Sequence, residues 1–163
     1  MSKKESFITA IKNNEGIIYK TAALYTNDVH DKNDLVQEII YQLWKSFDSF
    51  DERSALSTWM YRVAMNVSVY HLKTRKRKIT TVPLDEDITA ITETDHTDFE
   101  EKLQTFKKHV NILNLLDKGI VMLYLENKSY EEIAQITGLT TTNVGTRMMR
   151  IKEKLKKQIT KNI

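Results

Sequence analysis

The chain has 163 residues, 25 basic and 22 acidic side chains, a net charge of +3 and 40% apolar residues. That balance excludes a disordered tail, and no run approaches the ~20 apolar residues that a bilayer crossing needs. With no cysteine, disulfides, thiolate metal sites and a cysteine nucleophile are excluded, and four glycines with one proline are too few for a turn-rich β-sandwich. The expectation is an all-α, cytoplasmic protein with no secretory signal in Met1–Glu15 and no membrane insertion.

The charge is unevenly spread. Residues 1–80 carry a net +4, residues 81–101 a net −8 with no basic side chain, and residues 102–163 a net +7. The acidic stretch also holds Pro83 and few large apolar residues, so it is expected to be a flexible linker extended by self-repulsion. The chain then divides into an N-terminal helical bundle, 1–80, and a C-terminal helical domain, 102–163.

In the first domain, Phe7, Ile8, Ile11, Ile17, Ile18, Ala22 and Tyr25 predict one or two amphipathic helices, broken at Asn27-Asp28. The next helix, capped by Asp31 or Asn33, runs to about Phe47. It places Leu35, Val36, Ile39, Ile40, Leu43, Trp44 and Phe47 on an apolar arc and Asp34, Gln37, Glu38, Tyr41 and Lys45 opposite. A loop, Asp48–Ser54, leads to a helix over about Leu56–Thr74, in which Trp59, Val63, Val67 and Tyr70 are spaced as a buried stripe, flanked by Arg62, Asn66 and Lys73. This helix ends in Lys73-Thr74-Arg75-Lys76-Arg77-Lys78. Cations suit a helix C-terminus, and basic groups beside aromatic rings also suit single-stranded nucleic acid.

In the second domain, helices are expected over Leu103–Leu113 and Leu115–Leu125. Ser129-Tyr130-Glu131-Glu132 then has capping-box spacing, which makes Glu131 and Glu132 helix-start residues rather than an acid/base pair. Ile133, Ala134 and Ile136 give a short helix its apolar side, Gly138 suits a left-handed stop, and Thr140 or Thr141 caps a last helix reaching about Gln158. This is helix–turn–helix spacing, with Ala134 small enough for a close crossing. Val144, Met148, Ile151 and Leu155 form the buried stripe of the last helix. Thr141, Thr142, Asn143, Thr146, Arg147, Arg150 and Lys154 remain for a major groove, where Arg and Lys hold phosphates or read guanine and Asn reads adenine.

Three stretches together resemble the small extracytoplasmic-function (ECF) sigma factors of bacterial RNA polymerase. Asp34–Trp44, continuing through Phe50-Asp51, is similar to the family's region-2 helix that docks on the polymerase clamp. Ser57–Asn66 resembles its promoter-melting, −10-recognition helix. Leu125–Ala134 followed by Val144–Lys152 resembles its region-4 helix-turn-helix, which reads the −35 element. The resemblance implies that Asp34, Gln37, Glu38 and Tyr41 meet core RNA polymerase. It implies that Arg53, Ser54, Ser57, Thr58, Trp59, Tyr61, Arg62 and Asn66 hold the melted −10 strand of promoter DNA, while Lys73, Arg75, Lys76 and Arg77 grip its phosphates. It further implies an acidic linker threading the polymerase's nucleic-acid channel and an anti-sigma factor as a further partner. Two positions depart from the family pattern: Gly145 stands where many members carry a basic residue, and Thr140–Asn143 replace a Pro-containing segment.

No catalytic set is visible, so neither an enzyme nor a cofactor is expected. His30, His71, His96 and His109 are scattered, and Met122, Met148 and Met149 fall at core-type helical positions. A freestanding helix-turn-helix regulator and a helical adaptor without a DNA role are the alternative functions. The first would need neither the Asp34–Trp44 polar face nor Ser57–Asn66.

Overall fold

The computed structural model describes residues 2–74 and 97–161, the side chains of 97–100 excepted. All regular structure among the described residues is helical: α1 (Lys3–Asn13), α2 (Glu15–Tyr25), α3 (Val29–Ser46), α4 (Leu56–Lys73), α5 (Thr97–Val110), α6 (Leu115–Leu125), α7 (Tyr130–Thr137) and α8 (Thr141–Lys161), with a short 3₁₀ turn at Phe47–Ser49. The chain divides into two compact units, Met1–Asp95 and His96–Ile163. Arg75, Lys76, Arg77 and most of the expected acidic linker lie outside the described residues.

In the first unit α2, α3 and α4 pack on one another. Helix α1 starts with a reciprocal cap between Ser2 and Glu5. It stops at Asn14, whose Nδ2 donates to the Ala10 carbonyl at 2.9 Å, and the chain turns straight into α2. The cap of α3 is Asp28 rather than Asp31 or Asn33: Asp28 is extended (φ −138°, ψ 163°) and its carboxylate accepts from the Asp31 N–H at 2.7 Å. From there Leu35, Val36, Ile39, Ile40 and Leu43 are buried as expected. Each such side chain removed from water stabilises the fold by about 1.5–3 kcal/mol. Lys32 is also buried, with its ammonium 2.8 Å from the Tyr19 hydroxyl and over the Tyr19 ring.

Helix α4 corrects the sequence reading. Its buried face is Met60, Tyr61, Ala64, Met65 and Ser68, whereas Trp59, Val63 and Val67 are half-buried and Tyr70 is 57% exposed. Ser68 tolerates full burial because its hydroxyl donates to the Ala64 carbonyl at 2.7 Å. The small side chains at 64 and 68 are fully buried beside the larger Met60, Tyr61 and Met65 on a helix that packs against α2 and α3.

In the second unit, α5 begins at Thr97, earlier than expected, and ends at Val110. Its first residues, Thr97-Asp98-Phe99-Glu100-Glu101, put acidic residue types where the helix dipole favours them. Asn114 caps α6 by accepting from the Asp117 N–H at 2.8 Å. Ser129 and Glu132 make the capping box of α7, each accepting from the other's backbone N–H at 3.1 Å. Gly138 follows in the left-handed region (φ 81°), its N–H donating to the Ala134 carbonyl at 2.8 Å. Thr140 then caps α8 through the Asn143 N–H.

Ile120, Leu123, Ile133, Ile136, Val144, Met148 and Ile151 close this core. Met122 and Met148 are buried as expected, but Met149 is 68% exposed and fills no core. Gly145 is not sterically required: a Cβ there would meet the Tyr130 ring at 3.7 Å, an ordinary contact.

Gly145→Ala should raise the melting temperature, by up to about 1 kcal/mol of stability, as glycine inside a helix costs roughly that relative to alanine. Ser129→Ala should lose about 1 kcal/mol of cap. The Ser129 backbone bond, chiefly, and then its hydroxyl hold the Glu132 carboxyl below its usual range, with a smaller contribution from Lys128. A carboxyl lowered by folding stabilises above its unfolded pKa and loses that contribution as pH falls through its folded one. Glu132→Gln should therefore destabilise at neutral pH, and thermal melts should show the difference vanishing in acid.

Candidate nucleic-acid and polymerase interfaces

Residues 34, 37, 38 and 41 share one face of α3, as the 3.6-residue period requires. Asp34 and Gln37 are exposed, Tyr41 half-buried. Glu38 differs from the other three. Its Oε2 lies 3.2 Å from His71 Nδ1 on α4, while His71 Nε2 lies 3.1 Å from Asp31 Oδ1. The Glu38 side chain is only 15% exposed, so it locks α3 to α4 as well as edging the polar face. Neither His71 nor Asp31 was singled out in the sequence as part of this arrangement. Their partners are 33 and 40 residues apart in the chain.

The outward stripe of α4 is Trp59, Arg62, Asn66, Tyr70 and Lys73, with all but half-buried Trp59 exposed. Trp59 is set by a chain of rings. Its centroid is 5.1 Å from Phe50 and 6.3 Å from Phe47, and Phe7 meets Phe47 and Trp44 edge-on at 5.3 and 5.1 Å. The loop before α4 is folded on Asp51, which accepts from the Arg53 backbone N–H at 3.2 Å and pairs with the Arg53 guanidinium at 2.8 Å. Between them Glu52 is held at φ 62°, a conformation that costs a non-glycine residue roughly 1 kcal/mol or more. Arg53 projects to solvent, and Ser54 and Ser57 are half-buried beside it. Thr58 and Tyr61 are corrected: at 3% and 4% exposure they belong to the core and offer no surface to a strand. Both lie on the buried side of α4 with Met60, Ala64, Met65 and Ser68.

On α8, Thr141, Thr142, Asn143, Thr146, Arg150 and Lys154 are exposed and stand away from the buried Val144–Met148–Ile151 stripe. The Thr146 hydroxyl donates to the Thr142 carbonyl at 3.1 Å. Arg147 is not a free basic group: it pairs with Asp117 of α6 at 3.0 Å and donates from Nε to Asn143 Oδ1 at 3.1 Å. Among the described residues no group of His, Asp and Glu side chains is placed to hold a metal, and no helix is long and apolar enough to cross a membrane.

A left-handed glycine turn between α7 and a basic, outward-facing α8, preceded by a separate bundle with its own polar and basic stripes, defines a helix-turn-helix transcription protein. Residues 10–78 match the family model for sigma-70 region 2, and residues 113–155 match that for sigma-70 region 4. The chain is 28% identical over 170 aligned positions to RNA polymerase sigma factor SigV of Bacillus subtilis, covering 99% of this chain and 98% of that one. It is 30% identical over 158 positions to the ECF RNA polymerase sigma-E factor of Haemophilus influenzae, covering 86% and 82%. Among solved structures it resembles CnrH in complex with the cytosolic domain of CnrY (TM-score 0.72, 17% identity, 98% and 91% covered). It also resembles the sigma factor RpoE in complex with the anti-sigma factor NepR from Bartonella quintana (TM-score 0.65, 19% identity, 96% of each chain). The chain belongs to the sigma-70 family and is a sigma factor of the ECF type.

The Glu38–His71–Asp31 lock generates a test separable from binding. His71→Ala strips two largely buried carboxylates, both on α3, of their shared partner on α4. It should cost about 1–3 kcal/mol, the usual penalty for stripping partners from buried polar groups, read as a lower midpoint in urea.

Proposed function

We propose that this sigma factor recruits core RNA polymerase in the cytoplasm through the exposed face of α3, opens promoter DNA on α4 and anchors upstream duplex on α8, with no catalytic step of its own. The observation that carries this reading is the outward stripe of α4. It sets Trp59 on a fixed aromatic support and lines up Arg62, Asn66 and Lys73 beyond it. Unstacking a base costs a few kcal/mol, and a prepositioned ring with donors beside it offsets that. Arg53, Ser54 and Ser57 border the same end of α4, with Arg75, Lys76 and Arg77 following its C-terminus to hold phosphates. Thr58 and Tyr61 support this surface from beneath.

Asp34, Gln37 and Tyr41 form the polymerase-facing set, with Glu38 at its edge. Thr141, Thr142, Asn143, Thr146, Arg150 and Lys154 face the −35 duplex, and the acidic segment between the units passes through the polymerase. Two solved structures of similar fold are complexes, with CnrY and with an anti-sigma factor. An anti-sigma partner for this chain is proposed on that basis.

Transcription from promoter fragments with purified core polymerase tests the reading directly, and start-site mapping gives both promoter elements. A protein that binds duplex alone and leaves the polymerase inactive would instead be a freestanding regulator. Asp34→Ala with Gln37→Ala should weaken core binding about tenfold at an unchanged melting temperature. Arg150→Ala with Lys154→Ala should reduce upstream duplex affinity and lower the slope of log affinity against log salt by up to about two, at unchanged core affinity.

A further inference from the structure

Asn143 and Arg147 lie one turn apart on α8, and Asp117 reaches Arg147 from the first turn of α6. Arg147 Nη1 is 3.0 Å from Asp117 Oδ1, and Arg147 Nε is 3.1 Å from Asn143 Oδ1. A guanidinium nitrogen only donates, so the Asn143 atom facing Nε is the carbonyl oxygen, and its NH₂ group points away from Arg147. The anchor is the buried end: Asp117 is 8% exposed, and its own N–H is held by the Asn114 cap. The other end is open, because Asn143 is exposed in the first turn of α8, the part of a recognition helix that meets base edges.

The two side chains together offer donors: the Asn143 amide NH₂ and the Arg147 N–H groups not directed at Asp117 or Asn143. An asparagine reads adenine with both amide atoms, accepting from N6 and donating to N7; here one of the oxygen's two lone pairs is taken by Arg147 Nε, which sets a donor beside it, while the NH₂ group points outward to donate. Guanine presents two acceptors, O6 and N7, and no donor on its major-groove edge. We infer that Asp117, acting through Arg147, sets Asn143 to read guanine rather than adenine in the upstream promoter element. Asn143 makes the contact; Asp117 and Arg147 are positioning residues. The inference rests on the proposed reading of α8 as the duplex-facing helix. Phosphate oxygens are also acceptors only, and the test separates them from a base.

The test uses the full chain bound to core polymerase and a set of upstream duplexes in which each base pair is changed singly. The wild type should show a position where guanine is favoured over adenine by roughly tenfold or more, the discrimination a well-placed pair of donors supplies. Asn143→Ala should flatten that preference without changing the melting temperature. Asp117→Asn and Arg147→Lys should flatten it at the same position while the preferences elsewhere persist, a pattern that general destabilisation does not produce. Lysine keeps the charge at 147 but cannot span both partners with one nitrogen.

A uniform loss of affinity in Asn143→Ala, with an unchanged base profile and a salt slope reduced by about one, would assign the contact to phosphate and overturn the inference. A preference for adenine at that position would also overturn it. If the wild type discriminates no upstream base at all, the reading of α8 fails together with the inference.

Discussion

The side of α4 that is buried decides what the N-terminal unit presents: Met60, Tyr61, Ala64, Met65 and Ser68 face in, on a helix packed against α2 and α3. With those residues inside, Arg62, Asn66, Tyr70 and Lys73 stand exposed and Trp59 is half-buried. Had the larger Trp59–Val63–Val67–Tyr70 series been the buried side, the same helix would have concealed its aromatic platform. The buried serine is tolerated in polar terms, because the i−4 carbonyl takes its hydroxyl. The His71 clasp to Asp31 and Glu38 ties the same helix to α3.

The C-terminal unit solves the corresponding problem differently. Val144, Met148 and Ile151 are large and regularly spaced, so α8 seats on its apolar stripe alone. Its turn is controlled locally, by the Ser129–Glu132 box at one end of α7 and the left-handed Gly138 at the other. What is added at longer range is the Asp117–Arg147 pair, which ties α8 to α6 through a side chain otherwise suited to DNA. Helix α8 thus carries two kinds of cation: Arg150 and Lys154 exposed, and Arg147 anchored to Asp117.

The sequence made legible whatever is local or rests on large apolar residues. The division of charge, the α3 core stripe, the Ser129 box, the Gly138 stop and the α8 stripe all depend on residues within about two turns of one another. The buried side of α4 departs from the Trp59–Val63–Val67–Tyr70 spacing because Met60, Ala64 and Ser68 form an equally regular series, and spacing alone does not rank the two. Asp28 was taken for a breaker although a cap must itself stand outside the helix in extended conformation, as it does. Arg147 was assigned to DNA because its partner lies 30 residues away, where periodicity carries no information. The same holds for Glu38 and His71. Thr58 and Tyr61 are given to the −10 strand only by the family resemblance, whereas their burial comes from the packing of this bundle.

Gly145 has a consequence for divergence. It sits on the recognition helix between Val144 and Thr146, and the Tyr130 ring beside it leaves ordinary contact distance for a new side chain. The backbone there is plain helix, so a methyl group can be added without refolding the turn or disturbing the buried stripe. The fold therefore leaves position 145 free to gain a small side chain and to diverge among otherwise similar chains.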